Sequence, residues 1–240
     1  MPLKLMKFLD KFFRFSTLIL IFVRILSFKS FRSVKNNKVF VVIKLSAMGD
    51  LLCLLPSIEA FKKENPEYRV VVITTKRSNP EFWQKAGIVD NLQIFNIRSP
   101  FISLYRAIRL TSSAEICIDA DQYYQISQFV ALFCGRNVGF RTPIKGKFFD
   151  YQVTYSGTLN EKILFYKLFE TSCSVTNVNL APLNPILPAL GKTSTEGNCH
   201  FPDKVICLYP GSSKNAAFRR WHIENYLNLA NLIVDANYRC

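Results

Sequence analysis

The sequence predicts an α/β protein built on a mainly parallel sheet, and three observations carry that expectation. From residue 38 onward, strand-like and helix-like segments alternate, as right-handed βαβ units require. The first of the strand-like runs, Val39 to Ile43, is apolar throughout and rich in β-branched residues, which suits a strand buried on both faces. The chain is 49% hydrophobic with 21 Phe among 240 residues, ample for a core of one large or two modest domains.

The first 37 residues precede that pattern and differ from it in composition. Lys4, Lys7, Lys11 and Arg14 recur at helical spacing, with Leu5, Phe8, Leu9, Phe12 and Phe13 on the other side. That is a basic amphipathic helix of the kind that lies in a membrane interface. Phe15 to Phe28 is then apolar apart from Arg24. Fourteen helical residues reach only about 21 Å, short of the ~30 Å hydrocarbon core, so a segment lying on the membrane is favoured over one spanning it. Against a cleaved signal peptide stand the missing A-x-A-like site and the long stretch before the apolar run. A helix packed on the protein's own surface is the plainer alternative. Residues 1–38 hold nine Lys or Arg against Asp10 alone, so +8 of the net +14 charge sits there. Such an uneven distribution argues against a nucleic-acid-binding surface across the whole protein.

Strands are expected near 38–45, 69–75, 92–97, 115–119 and 150–155, and helices near 50–64, 80–87, 100–111, 123–134 and 160–173. Pro56 is expected to kink or divide the first helix, because proline removes a donor and clashes with the preceding turn. Residues 177–203, with four prolines and many Asn, Gly and Thr, read as an interdomain linker. One further strand, Lys204 to Tyr209, and one helix, His222 to Ala236, follow; Ile223, Leu227, Ala230 and Ile233 or Val234 give that helix an apolar face. The seven cysteines include no C-x-x-C pair, with Cys117 and Cys207 placed in strands and Cys53 and Cys134 in helices, which suits reduced, buried thiols. Cys199 and His200 are adjacent ligand types without a second pair, too little for a metal site.

Two loops carry candidate chemistry. Lys44-Leu-Ser-Ala-Met-Gly-Asp50 joins the first strand to the first helix. Gly49 is expected to permit the tight turn, and Asp50 to land at the helix N-terminus on the carboxyl edge of the sheet, where open α/β sheets bind ligands. Asp50 there is either a helix cap or a general base. Tyr209-Pro-Gly-Ser-Ser213 follows a strand and leads through Arg219 and Arg220 into a helix. Gly211, the Ser212 and Ser213 donors, the two arginines and the helix dipole make either a pyrophosphate cradle or an ordinary turn. Neither a P-loop nor a G-x-G-x-x-G fingerprint occurs.

The passage VVIKLSAMGDLLCLLPSIEAFKKENPEYRVVVIT resembles the opening of glycosyltransferase family 9, the ADP-heptose:lipopolysaccharide heptosyltransferases, in which an R/K-L-S-x-[ML]-G-D-x-[LI]-x-x-L-P segment follows the first strand. The passage VICLYPGSSKNAAFRRWHIENYLNLANLIV, about 155 residues later, resembles the strand-PG(A/S)-loop-(K/R)RW-helix unit that opens that family's second domain. EICIDADQYYQISQFVALFCGRNVGF fits a third family passage more loosely. The resemblance implies a Rossmann-like acceptor domain over 38–176 and, from 204 to 240, the first βα unit of a second, nucleotide-sugar-binding Rossmann-like domain in an incomplete GT-B arrangement. It also implies that about a hundred residues with a D-x-G-x-x-H segment would follow, so the chain is expected to be a truncated copy.

The implied activity is inverting transfer of a heptose or related sugar from a nucleotide-sugar, ADP-heptose by family, to a lipopolysaccharide core acceptor. No cofactor or metal is needed. Asp50 would be the base; Ser212, Ser213 and Arg219 would meet the donor phosphates, Arg219 standing where the family has lysine two residues before Trp221. Ser46, Met48, Gly49, Asp119, Arg141 and Lys145 are acceptor-side candidates, Arg141 and Lys145 as part of a basic loop with Arg136 and Lys147 that is otherwise merely solvated. Trp221 is expected to anchor a core. Asp119-Ala-Asp121 admits a rival reading as the metal-binding D-x-D of the other major glycosyltransferase fold. The expected setting is the cytoplasmic face of the inner membrane, held peripherally through residues 1–37. The competing account is a non-catalytic relative that binds the acceptor glycolipid only.

Overall fold

The computed structural model describes residues 37–184 (except 47, 79 and 97, and the side chains of Arg77 and Lys85), 205–209, 221–236 and 238. The chain divides into two compact units, 1–192 and 193–240. In the first unit the elements run β1 (Val39–Ile43), α1 (Met48–Glu64), β2 (Arg69–Thr74), a 3-10 turn (Lys76–Ser78), α2 (Pro80–Ala86), β3 (Asn91–Ile94), α3 (Pro100–Ser113), β4 (Ile116–Asp119), α4 (Gln125–Ala131), β5 (Asn137–Arg141), β6 (Tyr151–Thr154) and α5 (Glu161–Thr176). The six strands form one sheet in the order β3-β2-β1-β4-β5-β6, and every neighbouring pair is parallel. The sheet is Rossmann-like, with its strand order reversing between β1 and β4.

Strand periodicity splits the core into two layers. Phe40 and Val42 of β1, with Val70, Val72, Ile116, Ile118 and Phe140, face α1 and α5 and pack on Leu51, Leu55, Ile58, Phe61, Phe165 and Phe169. Val39, Val41 and Ile43, with Val71, Ile73 and Cys117, face the other way onto Ala107, Ile126 and Val130 of α3 and α4. Phe40 contacts the rings of both Phe61 and Phe169, at centroid distances of 4.1 and 5.4 Å.

Several expectations change here. Helix α1 continues through Pro56 undivided, held by the burial of Leu54, Leu55, Pro56 and Ile58 on one flank. It also begins at Met48, so Gly49 is a helical residue and not the tight turn. Gly49 has no positive φ, and a Cβ there would meet open space. β5 was not expected as a strand, and α4 stops at Ala131, which leaves Cys134 beyond it. After α5 the backbone is irregular as far as 184, but it is tied down: Ala181 N–H donates to Ala60 O at 3.3 Å, and Ala181 O accepts from Tyr166 Oη at 2.8 Å.

β5 and β6 are parallel yet joined by residues 142–150 alone, without a crossover helix. A connection that short must hug the sheet. Two glycines allow it. A Cβ on Gly139 would lie 2.3 Å from the Phe149 ring that packs on it. Gly146 has φ +97°, and a Cβ there would lie 2.0 Å from Phe140 O.

In the second unit, residues 206–209 carry no strand and Val205 makes only an isolated bridge, contrary to the strand expected over 204–209, and Cys207 is exposed. Helix α6 (Ile223–Asp235) forms as expected, but Ile233 is its only buried residue, and Ile223 and Leu227 are exposed. Trp221 is likewise exposed and meets only the edge of Tyr226 at 5.5 Å, so it anchors no core within the described residues.

The two kinds of glycine should separate by stability. Gly146→Ala is expected to lower the stability read from urea unfolding by about 1–3 kcal/mol through backbone strain. Gly49→Ala is expected to leave it unchanged or raise it by roughly 0.5–1 kcal/mol, as for a helical glycine. A large loss at Gly49 would restore the tight turn.

Candidate active site

The carboxyl edge of the sheet at the β1/β4 reversal is where polar side chains converge. The two neighbouring strand ends fix the exit from β1. Leu45 N–H donates to Asp121 Oδ2 at 3.2 Å, and Thr75 Oγ1 donates to Leu45 O at 2.7 Å. The chain therefore leaves β1 in a set direction before entering α1 at Met48. Asp50 is the third residue of α1, where the free N–H groups and the helix dipole favour a carboxylate.

Lys44, one residue beyond β1, is almost fully buried, and its ammonium is the centre of the site. Lys44 Nζ donates to Asp50 Oδ2 at 2.9 Å and to Gln122 Oε1 at 2.8 Å, and lies 5.4 Å from the centroid of the Phe165 ring. Gln122 passes the network on, donating through Nε2 to Glu161 Oε2 at 3.2 Å. Tyr155 Oη donates to Glu161 Oε1. Burial, and then the Glu161 carboxylate it serves, raise the Tyr155 hydroxyl well above its ordinary range, so it remains a donor. Cys53, one turn along α1 from Asp50, is raised by burial and by the Asp50 and Glu161 carboxylates, which keeps it a thiol. Asp50 is the solvent-facing end of this chain, with its side chain 33% exposed. Its Oδ2 is engaged by Lys44, and among the described residues its Oδ1 accepts no hydrogen bond.

The D-x-D stretch has a different task. Asp119 Oδ1 accepts from Asp121 N–H at 3.0 Å, and Asp119 Oδ2 pairs with Lys145 Nζ at 2.7 Å, both side chains being fully buried. Asp121 Oδ1 accepts from Tyr123 and Tyr124 N–H at 3.1 and 3.2 Å, while Oδ2 holds Leu45. Three of the four carboxylate oxygens thus accept N–H hydrogen bonds, while Asp119 Oδ2 is held by the ion pair alone, and a cation there would have to displace the Lys145 ammonium. Lys145 Nζ is held further by the hydrogen bonds it donates to Asp121 O and, at 2.6 Å, to Ser127 Oγ. Asp119 and Lys145 therefore change role from acceptor-side candidates to a sealed ion pair that fastens the β5–β6 connection to β4. Lys145 is drawn inward because a carboxylate buried at the end of β4 requires a partner.

Of the remaining candidates, Ser46, Met48 and Gly49 lie with Asp50 at the start of α1, Met48 and Gly49 exposed and Ser46 half-buried. Arg141 is exposed at the end of β5. Ser212, Ser213 and Arg219 lie outside the described residues. Lys44, Gln122, Tyr155 and Glu161 were not singled out from the sequence. Lys44 was legible in principle, as a lysine directly after a wholly apolar strand. Gln122, Tyr155 and Glu161 leave no local signal, since each matters only through residues distant in the chain.

No protein-family model matches the sequence, and no curated protein does. Solved structures do match by fold. The Escherichia coli heptosyltransferase WaaC with ADP aligns over 84% of this chain and 66% of its own, with TM-score 0.62 and 15% identity. The family 9 glycosyl transferase from Veillonella parvula DSM 2008 aligns over 87% of this chain and 63% of its own, with TM-score 0.55 and 18% identity. The E. coli ADP-heptose lps heptosyltransferase II gives 0.59 at 15% identity, over 83% and 62%. The chain shares its fold with these glycosyltransferases. It spans about two thirds of their length.

The sealed pair has a pH signature. Burial raises the Asp119 carboxyl from 3.8 to about 6, against the opposing pull of Lys145. The folded protein then holds a proton between about pH 4 and 6 that the unfolded chain releases. This contribution to stability is complete below pH 4 and is lost as pH rises through 6, by at most roughly 3 kcal/mol. Replacing the pair in Asp119→Asn/Lys145→Met should remove that slope, read by subtracting the two urea-stability profiles from pH 4 to 6.5. Parallel profiles would show that Asp119 takes up no proton in that window.

Proposed function

We propose that this chain is an inverting glycosyltransferase of the family 9 type. It moves a heptose or related sugar from a nucleotide-sugar to a lipopolysaccharide core acceptor. The reading rests on one observation above the rest: a part-exposed carboxylate, Asp50, tethered through a single oxygen at the strand-order reversal of a fold shared with heptosyltransferases. The donor class is suggested by the solved E. coli WaaC structures, which hold ADP and ADP-2-deoxy-2-fluoro heptose.

In this scheme Lys44 turns the Asp50 carboxylate so that Oδ1 faces an acceptor hydroxyl. As the acceptor oxygen forms its bond to the anomeric carbon, its proton passes to Asp50 Oδ1. The bond from that carbon to the diphosphate oxygen breaks on the opposite face, its electron pair leaving on the nucleotide diphosphate, and the anomeric configuration inverts. Arg219, with the Ser212 and Ser213 donors, would receive the leaving charge, where preorganised donors act most strongly. The D-x-D oxygens are already committed, so the scheme routes no step through a metal. Arg141, exposed at the end of β5, is the cation retained for an acidic acceptor. Residues 1–37 would hold the protein peripherally at the cytoplasmic face of the inner membrane, each basic residue near an anionic surface contributing about 1 kcal/mol.

In the full-length protein, Asp50→Asn is expected to lower kcat for sugar transfer by about 10²–10⁴ while leaving donor affinity within twofold. Turnover within twofold of wild type would remove Asp50 as the base. Arg219→Ala is expected to weaken nucleotide-sugar binding by roughly tenfold or more, the value of a charge-assisted hydrogen bond to phosphate. Calorimetry showing an unchanged donor affinity would take Arg219 out of the donor site.

A further inference from the structure

The exposed face of α3 is built against the usual rule for a surface helix. Ser103, Ala107 and Thr111, spaced four apart, are its buried residues. On the opposite arc, where polar residues are expected, stand Phe101, Ile102 and Tyr105, at 81%, 57% and 64% exposure. Arg106 and Arg109 are exposed on the same arc, and Arg98 is exposed just before the helix. No Asp or Glu occurs between Asp90 and Glu115, and among the described residues none of these arginines pairs with a carboxylate.

We propose that this face of α3 docks on an anionic lipid surface, with Phe101, Ile102 and Tyr105 entering the headgroup region and the three arginines meeting lipid phosphates. Aromatic and aliphatic side chains interleaved with arginine suit an interface that is apolar on one side and negatively charged at its rim. Charge decides between occupants. A second copy would set the same three arginines against themselves. Residues 1–36 carry eight Lys or Arg against one Asp and would be repelled in the same way. An anionic bilayer complements both.

Their placement agrees as well. Asn37 Nδ2 donates to Ser113 O, at the last residue of α3, so the basic N-terminal segment joins the domain at the end of this helix. The other end of α3 follows β3 at the carboxyl edge of the sheet, the edge that carries Asp50. The inference does not depend on the proposed sugar transfer, and its test involves no sugar.

The probe is Phe101→Trp in a Trp221→Phe background of the full chain, where the other tryptophan, Trp83, is buried in the core. The titrant is vesicles of phosphatidylglycerol and phosphatidylcholine with brominated acyl chains. Binding is expected to shift the Trp emission to the blue and quench it at least twofold, with much less effect from phosphatidylcholine alone. Arg106→Glu/Arg109→Glu is expected to weaken vesicle binding by about tenfold or more. Vesicle-bound protein with unquenched emission would mean the N-terminal segment binds lipid alone, and would overturn the proposal. Equal quenching by phosphatidylcholine, no sedimentation with anionic vesicles, or emission that shifts with protein concentration without lipid would each overturn it too, the last by showing a second copy on the face.

Discussion

A lysine ammonium buried at the end of a parallel strand is the constraint on which the site depends. Removing that charge from water costs several kcal/mol unless the surroundings replace its hydration. Lys44 is resolved by three groups from different elements: the Asp50 carboxylate on α1, the Gln122 amide oxygen after β4, and the Phe165 ring on α5. Each contact is also a statement about backbone position. α1 has to begin where Asp50 can reach Lys44, the β4 exit has to bring Gln122 inward, and α5 has to cross close enough for its ring to cover the ammonium. One charge thus ties both sides of the strand-order reversal together.

A second buried cation does the equivalent work one strand further along. Lys145 carries the short connection between β5 and β6 inward to Asp119, Asp121 O and Ser127. Without a crossover helix, that connection has little apolar surface with which to hold itself on the sheet. An ion pair and the Phe149 ring seated on Gly139 supply what a helix would have supplied. Asp121 links the two systems, since its carboxylate holds Leu45 at the exit of β1 and the first N–H groups ahead of α4. The carboxyl edge is therefore one connected polar framework, with its acids matched to named donors.

Such a framework explains which parts of the structure were legible in the sequence. β1, β2 and β4 are apolar runs bounded by polar residues, and the helices between them announce themselves by length and spacing. β5, Asn137–Arg141, was missed because its pattern is broken at Asn137 and Gly139, both of which serve the neighbouring crossover: Asn137 Nδ2 donates to Asp150 at 2.7 Å, and Gly139 yields space to Phe149. Lys145 looked like one of a solvated basic cluster because charge in a sequence carries no sign of burial. Its carboxylate partner stands 26 residues earlier, at the end of β4. Asp50 was legible because its motif is local, whereas the residue that orients it was visible only as the end of a strand.

The same framework narrows the choice of base. Four carboxylates line this edge, and proton transfer from an incoming hydroxyl needs an oxygen that is both reachable and not already accepting. Asp119 is sealed and paired with Lys145, and both oxygens of Asp121 accept backbone N–H groups. Glu161 takes a hydrogen bond on each oxygen, from Gln122 and Tyr155. Only Asp50 combines solvent exposure with one oxygen held by Lys44 and the other without a donor among the described residues. The tether matters as much as the exposure. A carboxylate rotating freely at a helix start would present either oxygen in any direction, whereas one anchored through Oδ2 holds Oδ1 in a fixed orientation. Such fixed geometry is what a general base requires before its proton affinity counts.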